Sequence, residues 1–318
     1  MLHLPPKRNA VSRETTNRIL MIRPAAFGFN PETAASNAFQ SDAGDRSAES
    51  IQAAALEEFD NMVARLRAAG VTVHVYQDSP EVPKPDAVFP NNWFSTHDTA
   101  AVVEYPLLGE SRRAERQEGV VDLLKEVYRV GERFDFSHLE EKEIFLEGTG
   151  SIIFDRRHRI AYACISPRTH QEAFHEFCHR FNFEPVSFTA EDANGQEIYH
   201  TNVMMALGRD FVVICLDSVR RRSERKRLEE IFERTGKEII DISFEQMNNF
   251  AGNMLQVHNA DGDPILVMSQ AAFDSLRADQ IQRLEAKTHL LPVAIPTIEH
   301  YGGGSVRCMI AEVYLPKK

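Results

Sequence analysis

Two periods of apolar and polar residues alternate along this chain. RILMIRP (18–24) is a continuous apolar run closed by Pro24 and predicts a buried strand. Ile51, Leu56, Phe59, Met62, Val63 and Leu66 recur at helical spacing, so a helix is expected over 47–69, stopped by Gly70. VTVHVYQ (71–77) then alternates as a strand. Further helices are expected at 113–129, 168–181, 221–235 and 269–285. Before each strand-rich stretch stands a segment of small and polar residues: FPNNWFST (89–96), LEGTGSIIFD (146–155), YHTNVMMAL (199–207), FAGNMLQVH (250–258) and GGGSVRCMIAEVYL (302–315). Marked by Asn92, Gly148, Thr201, Gly252 and Val306, these recur at spacings of 56, 53, 51 and 54 residues. Units of about 50 residues that cannot bury their faces alone predict a closed ring. Its five marker segments would meet at the axis and line one pocket. An ordinary α/β sheet with evenly spaced strands is the plainer reading of the same period.

Composition narrows the function. The 318 residues are 43% apolar and 26% charged, with a net charge of −11, which does not favour nucleic-acid or anionic-membrane binding. The one basic cluster, Arg220 to Arg227, is interrupted by Glu224 and reads as a solvated helix face. No run of about 18 apolar residues predicts a membrane span, and residues 1–17 are polar, loose and without a signal-peptide pattern. Cys164, Cys178, Cys215 and Cys308 form no C-x-x-C pair and are expected as free thiols of a cytoplasmic protein.

The chemistry gathers at the marker segments. Cys308 follows Gly302-Gly303-Gly304-Ser305-Val306-Arg307, a run whose glycines permit close approach of backbone to a ligand. Arg307 is a candidate for favouring its thiolate. His200 and Glu147 lie on two other markers. Thiol, imidazole and carboxylate together suit covalent catalysis. Singly, each has a plain structural reading: a core cysteine opening an apolar strand, a satisfied histidine, a loop acid.

Four motifs in order make the chain resemble the guanidino-group-modifying enzymes, the amidinotransferase and arginine deiminase superfamily, over nearly its whole length. They are Asp86-Ala-Val-Phe89-Pro-Asn91-Asn92, Glu147-Gly148-Thr149-Gly150, His200-Thr201-Asn202 and the glycine run ending at Cys308. The resemblance implies an α/β, five-fold pseudosymmetric propeller (pentein) of ββαβ-type units around a central active-site channel, one catalytic domain over 18–318. It implies Cys308 as nucleophile, His200 as proton shuttle and Glu147 as its partner. It also implies arginines on the substrate carboxylate, Arg113 of the Arg112-Arg113 pair and Arg168, with Asp86 on the α-amine. No cofactor and no metal are implied, only a small amino-acid substrate; a homo-oligomer is left open.

The chain departs from the resemblance where the family carries acids. Asn91, Asn92 and Asn202 replace carboxylates that grip a cationic guanidinium. Amides carry both donor and acceptor and no charge, which suits a neutral ureido group. Citrulline hydrolysis to ornithine, carbon dioxide and ammonia through an S-carbamoyl cysteine is therefore the expected activity. Arginine deimination, dimethylarginine hydrolysis and amidino transfer are the alternatives, and a non-catalytic binding pentein is a distant one. His175-Glu176-Phe177-Cys178-His179 matches the zinc motif H-E-x-x-H, but Phe174, Phe177, Cys178 and Phe181 form the buried stripe and leave both histidines on the flank. The loop over 28–46, with Asn37, Phe39 and Gln40, is a candidate lid hinged at Gly28 and Gly44.

Overall fold

The expected strands at 18–24 and 71–77 form from the residues that predict them. In the computed structural model, which describes residues 14–34, 37, 39–42, 44 and 46–318, the 47–69 periodicity forms a helix over Ala48–Ala68. It is capped by the Ser47 hydroxyl and buries Ile51, Phe59, Met62, Val63 and Leu66. Fifteen strands are described: β1 (Arg18–Arg23), β2 (Thr72–Gln77), β3 (Phe94–Thr96), β4 (Val102–Glu104), β5 (Arg133–Asp135), β6 (Ile152–Asp155), β7 (Ile160–Cys164), β8 (Glu184–Phe188), β9 (Met205–Leu207), β10 (Phe211–Ile214), β11 (Glu238–Asp241), β12 (Leu255–His258), β13 (Pro264–Ser269), β14 (His289–Val293) and β15 (Ala311–Glu312).

They form five three-stranded sheets: β3-β4-β5, β6-β7-β8, β9-β10-β11, β12-β13-β14 and β15-β1-β2. Every sheet repeats one pattern: an antiparallel pair, then a parallel neighbour. The parallel pair requires a crossover, supplied by Ala48–Ala68, Glu118–Val127, Gln171–Phe181, Arg222–Arg234 and, in the β13–β14 crossover, Gln270–Ser275 with Ala278–Glu285. This is the ββαβ unit of a pseudo-five-fold α/β propeller. In the fifth sheet the antiparallel strand comes from the far end of the chain, so β15 on β1 closes the ring.

Two helices differ from the sequence expectation. The 113–129 segment becomes helical only at Glu118, because Glu110–Glu115 is a tight 3-10 turn. The 269–285 segment breaks at Leu276 and Arg277. There the Gln280 side chain accepts the Arg277 N–H at 2.9 Å and starts a new helix. Within the expected loose segment 1–17, the described part is held. Residues 1–13 lie outside the described residues, but Thr16 is buried and its hydroxyl donates to the Val313 carbonyl at 2.9 Å.

The marker segments become tight turns at the axis: Pro90–Asn92, Gly148–Ser151, Thr201–Met204, and turns at 249–252 and 306–309. Adjacent turns bond in sequence around the ring. Thr149 donates to the Asn91 carbonyl, Thr201 to the Ser151 carbonyl, and Asn253 to the Asn202 carbonyl; the Arg307 N–H donates to the Asn253 side chain. Gly148 has φ +48°, and a Cβ there would overlap the Asn91 carbonyl, so this marker requires glycine. No helix of the described residues is long and apolar enough to cross a membrane.

Thr96 fastens the closing strand, donating to the Glu312 carbonyl at 2.9 Å and accepting the Tyr314 N–H at 2.8 Å. Thr96→Val leaves a buried N–H unpaired and should cost about 1–3 kcal/mol, read as a lowered midpoint in urea unfolding.

Candidate active site

Three elements bring Cys308 and His200 to one pocket wall and set Glu147 behind His200. Glu147 precedes the turn Gly148–Ser151, His200 precedes Thr201–Met204, and Cys308 sits in the turn before β15. Their equivalent places in three units bring together residues far apart in sequence. All three are buried. The Nε2 of His200 lies 2.7 Å from one Glu147 oxygen, and Arg168 Nη1 lies 3.5 Å from that same oxygen. The other Glu147 oxygen accepts the Leu108 N–H at 3.0 Å.

Electrostatics sets the protonation of this group. Burial pushes the Glu147 carboxyl up, but Arg168, His200 and Arg112 outweigh it and hold it at about 2. Burial depresses His200 below its ordinary value, against the raising effect of Glu147. At neutral pH the pair is therefore a carboxylate and a neutral imidazole. The carboxylate accepts the Nε2–H hydrogen bond, which leaves the Nδ1 lone pair for proton transfer. Gly150 keeps that atom open: a Cβ at Gly150 would stand 2.8 Å from His200 Nδ1 and 2.5 Å from Asn92 Nδ2.

Arg307 does not serve the thiol. Its guanidinium turns away to Glu312 and the Ile310 carbonyl, each at 2.9 Å. The groups on Cys308 Sγ are amides: Asn202 Nδ2 at 3.3 Å and Asn253 Nδ2 at 3.2 Å. Asn253 is absent from the sequence-based site. Its signal was present, because it follows Asn202 by the 51 residues that separate markers Thr201 and Gly252.

Of the Arg112-Arg113 pair, it is Arg112 and not the expected Arg113 that reaches the pocket wall. Arg113 is half-buried outside the pocket, paired to Glu140 at 3.2 Å. Arg112 lies inside, bidentate to Glu115 at 2.9 and 2.8 Å and donating to Asn92 Oδ1 at 2.7 Å. The 3-10 turn explains the exchange, since adjacent residues point about 120° apart and Arg112 eclipses Glu115 three residues on. Asn91 also falls outside the pocket wall; it is buried behind it. Asp86, Asn92 and Arg168 do line the wall. Asp86 accepts from Asn30 Nδ2 at 2.8 Å and Thr33 at 3.1 Å. Asn92 Nδ2 and Asn202 Oδ1 have no hydrogen-bond partner among the described residues.

A model of the family described as N,N dimethylarginine dimethylhydrolase, eukaryotic, matches residues 23–315. The chain belongs to that family. It is thus an enzyme homologous to hydrolases of guanidino C–N bonds. No curated protein matches it in sequence. Among solved structures, apo ArgZ, an arginine dihydrolase of the cyanobacterial ornithine-ammonia cycle, is similar with TM-score 0.74 and 18% identity, over 94% of this chain and 41% of that one. The chain thus spans about two fifths of the full ArgZ, and 98% of its N-terminal domain in the substrate-bound structure, where the TM-score is 0.73 at 18% identity. Dimethylarginine dimethylaminohydrolase, as an adduct with S-methyl-L-thiocitrulline, matches with TM-score 0.66 and 16% identity, over 94% of this chain and all of that one. At these identities the likeness carries the fold.

Elsewhere in this family member, His175 and His179 are exposed on the outer helix, and no His, Cys, Asp or Glu cluster of the described residues is arranged for a metal. The pocket holds some 20 Å³, about one water. Outside it opens a cavity of about 1040 Å³, which shares Asn37, Arg168 and Tyr199 with the pocket. Of the expected lid, Ala35, Ser36, Ala38, Ala43 and Asp45 lie outside the described residues. Asn37 bridges the Gly302 and Gly303 carbonyls to the Tyr199 hydroxyl, and Phe39 packs on Phe250.

Two outcomes are expected. Gly150→Ala should cut turnover by about 100-fold or more by displacing Asn92 and His200, with the folded state retained by circular dichroism. In the pH profile of kcat/KM, the acid limb should fall with a midpoint below 6.5, because burial keeps His200 neutral beneath its ordinary value.

Proposed function

We propose that this chain hydrolyses the ureido group of citrulline, giving ornithine, carbon dioxide and ammonia through an S-carbamoyl Cys308. One observation carries the reading: neutral amides stand at the reacting thiol and on the wall, and two of their atoms lack a partner among the described residues, the donor Asn92 Nδ2 on the wall and the acceptor Asn202 Oδ1 on the amide that contacts Cys308 Sγ. A ureido group presents a carbonyl oxygen and an amide nitrogen and satisfies both. A guanidinium has donors only and would leave Asn92 Nδ2 unpaired. The wall carboxylates are already engaged, Glu147 by His200 and Arg168, Asp86 by Asn30 and Thr33.

Neutral His200 takes the Cys308 proton, and the thiolate attacks the ureido carbon. The bond from that carbon to the ornithine side-chain nitrogen breaks as His200 returns its proton to that nitrogen. Water, deprotonated by His200, then attacks the S-carbamoyl carbon. The thiolate leaves, and the released carbamate decomposes to ammonia and carbon dioxide. Arg168 pairs with the α-carboxylate and Asp86 with the α-amine. Arg112, whose donors are spent on Glu115 and Asn92, orients the Asn92 amide with its N–H2 toward the substrate. The closed pocket is smaller than the substrate, so its wall must widen for entry.

Family membership favours a second reading, hydrolysis of arginine or dimethylarginine. Product release from all three substrates separates them, beside a Cys308→Ser control. Ornithine from citrulline, lost in the control, is the expected result; citrulline or ornithine from arginine with no turnover of citrulline overturns the ureido reading. Asn92→Asp should lower the citrulline rate roughly 100-fold, as loss of one oriented donor does elsewhere.

A further inference from the structure

The contacts of Cys308 raise a question that the Cys–His–Glu trio does not answer: what holds the sulfur as its charge forms and leaves. Arg307, its neighbour in sequence, is turned to Glu312. Asn253 is beside the sulfur, buried at 3% exposure. Its hydrogen bonds leave no freedom in how its amide is oriented. Oδ1 accepts the Arg307 N–H at 3.0 Å, so Nδ2 must face the other way. There its two hydrogens have two acceptors, the Asn202 carbonyl at 3.0 Å and Cys308 Sγ at 3.2 Å. The thiol hydrogen has its own acceptor in Asn253 Oδ1 at 3.6 Å. One side chain thus serves both states of the sulfur, accepting from the thiol and donating to the thiolate.

We propose that Asn253 is a catalytic residue, a neutral donor that, with Asn202, stabilises and aims the Cys308 thiolate in both the attack and the release step. The proposal rests on Cys308 as nucleophile in the reading above, but not on the identity of the substrate. Its charge-free form has a reason in this pocket. A cation on the sulfur would stand at the end of the site that receives the reacting group, and would compete with the proton passing through His200. Two amides lower the cost of the buried anion and leave the local charge unchanged when the proton moves to His200. Asn253 also joins the fourth and fifth turns of the ring through Arg307, so the donor is placed by the same bonds that place Cys308.

Alkylation by iodoacetamide at neutral pH tests this without any substrate. Burial pushes the other thiols up, Cys164 and Cys178 to about 12 and Cys215 to about 11, so rapid alkylation reports Cys308. Asn253→Asp keeps the acceptor for the Arg307 N–H and the side-chain shape, but replaces the donor by a carboxylate. Asn253→Ser removes the amide donor without adding charge. The order expected is unsubstituted, then Asn253→Ser, then Asn253→Asp, with the last slowed by about tenfold or more. With citrulline, kcat should fall in the same order and KM change little. If both variants fold and are alkylated at the unsubstituted rate, Asn253 is only a framework residue and the proposal fails, even if kcat drops. If citrulline is not turned over by the unsubstituted protein while the alkylation order holds, the substrate reading fails and the role of Asn253 stands.

Discussion

Closure of the ring is the constraint on which the site depends. None of the five units has a complete pocket, and Cys308 stands only three residues before β15. Pairing of Ile19 with Glu312 and Leu20 with Ala311 therefore does two things at once. It completes the fifth sheet, and it sets Cys308 against turns contributed by residues more than 50 positions upstream. The chain gains the buried edges of β1 and β15 only when the last turn is seated, so a misplaced thiol and an open ring are the same defect. Thr16 and Thr96, small residues with one donor and two lone pairs, fasten this seam from both sides.

Within the closed ring, charge is placed in fixed pairs. Arg112 with Glu115 and Arg168 with Glu147 are buried ion pairs, and each costs more to break than to leave out. Such pairs do not primarily stabilise; they orient. Arg112 turns the Asn92 amide, and Glu147 selects the His200 tautomer. The groups that would touch the reacting carbon are then neutral, so the field at that point comes from dipoles held by charges one layer behind. That arrangement suits a neutral reactant which becomes anionic during attack.

Much of this was legible beforehand. A repeat of 51 to 56 residues together with the family resemblance predicted the ring, and the sheets realise it with five identical pairing patterns. Cys308, His200 and Glu147 were visible because they stand at marker positions with small neighbours. The errors came where spacing alone had to choose between adjacent residues. Arg112 and Arg113 are equally spaced from the motifs to within one position, and a 3-10 turn, not periodicity, decides which faces inward. Asn91 and Asn92 form the same kind of pair, and only one reaches the pocket. Arg307 next to Cys308 looked like its electrostatic partner, yet the turn at 306–309 sends successive side chains apart. Charge adjacent in sequence is a poor guide to charge adjacent in space at a tight turn.

Asn253 illustrates the opposite case, a residue hidden by its plainness. An asparagine in FAGNMLQVH carries no catalytic signature, and only its register with Asn202 separates it from an ordinary turn former. The repeat that builds the fold is therefore also an index of the site, because equivalent positions in successive units face one axis. Read this way, the pocket has amides at the equivalent positions 202 and 253, both on the thiol. The family is matched over almost the whole chain, while the substrate end of the pocket lacks a free carboxylate among the described residues. A cationic guanidinium entering it would shed its water against Asn92, Asn202 and Asn253 without gaining a counter-charge. A ureido group has no such charge to desolvate, and that difference is the physical argument behind the proposed substrate.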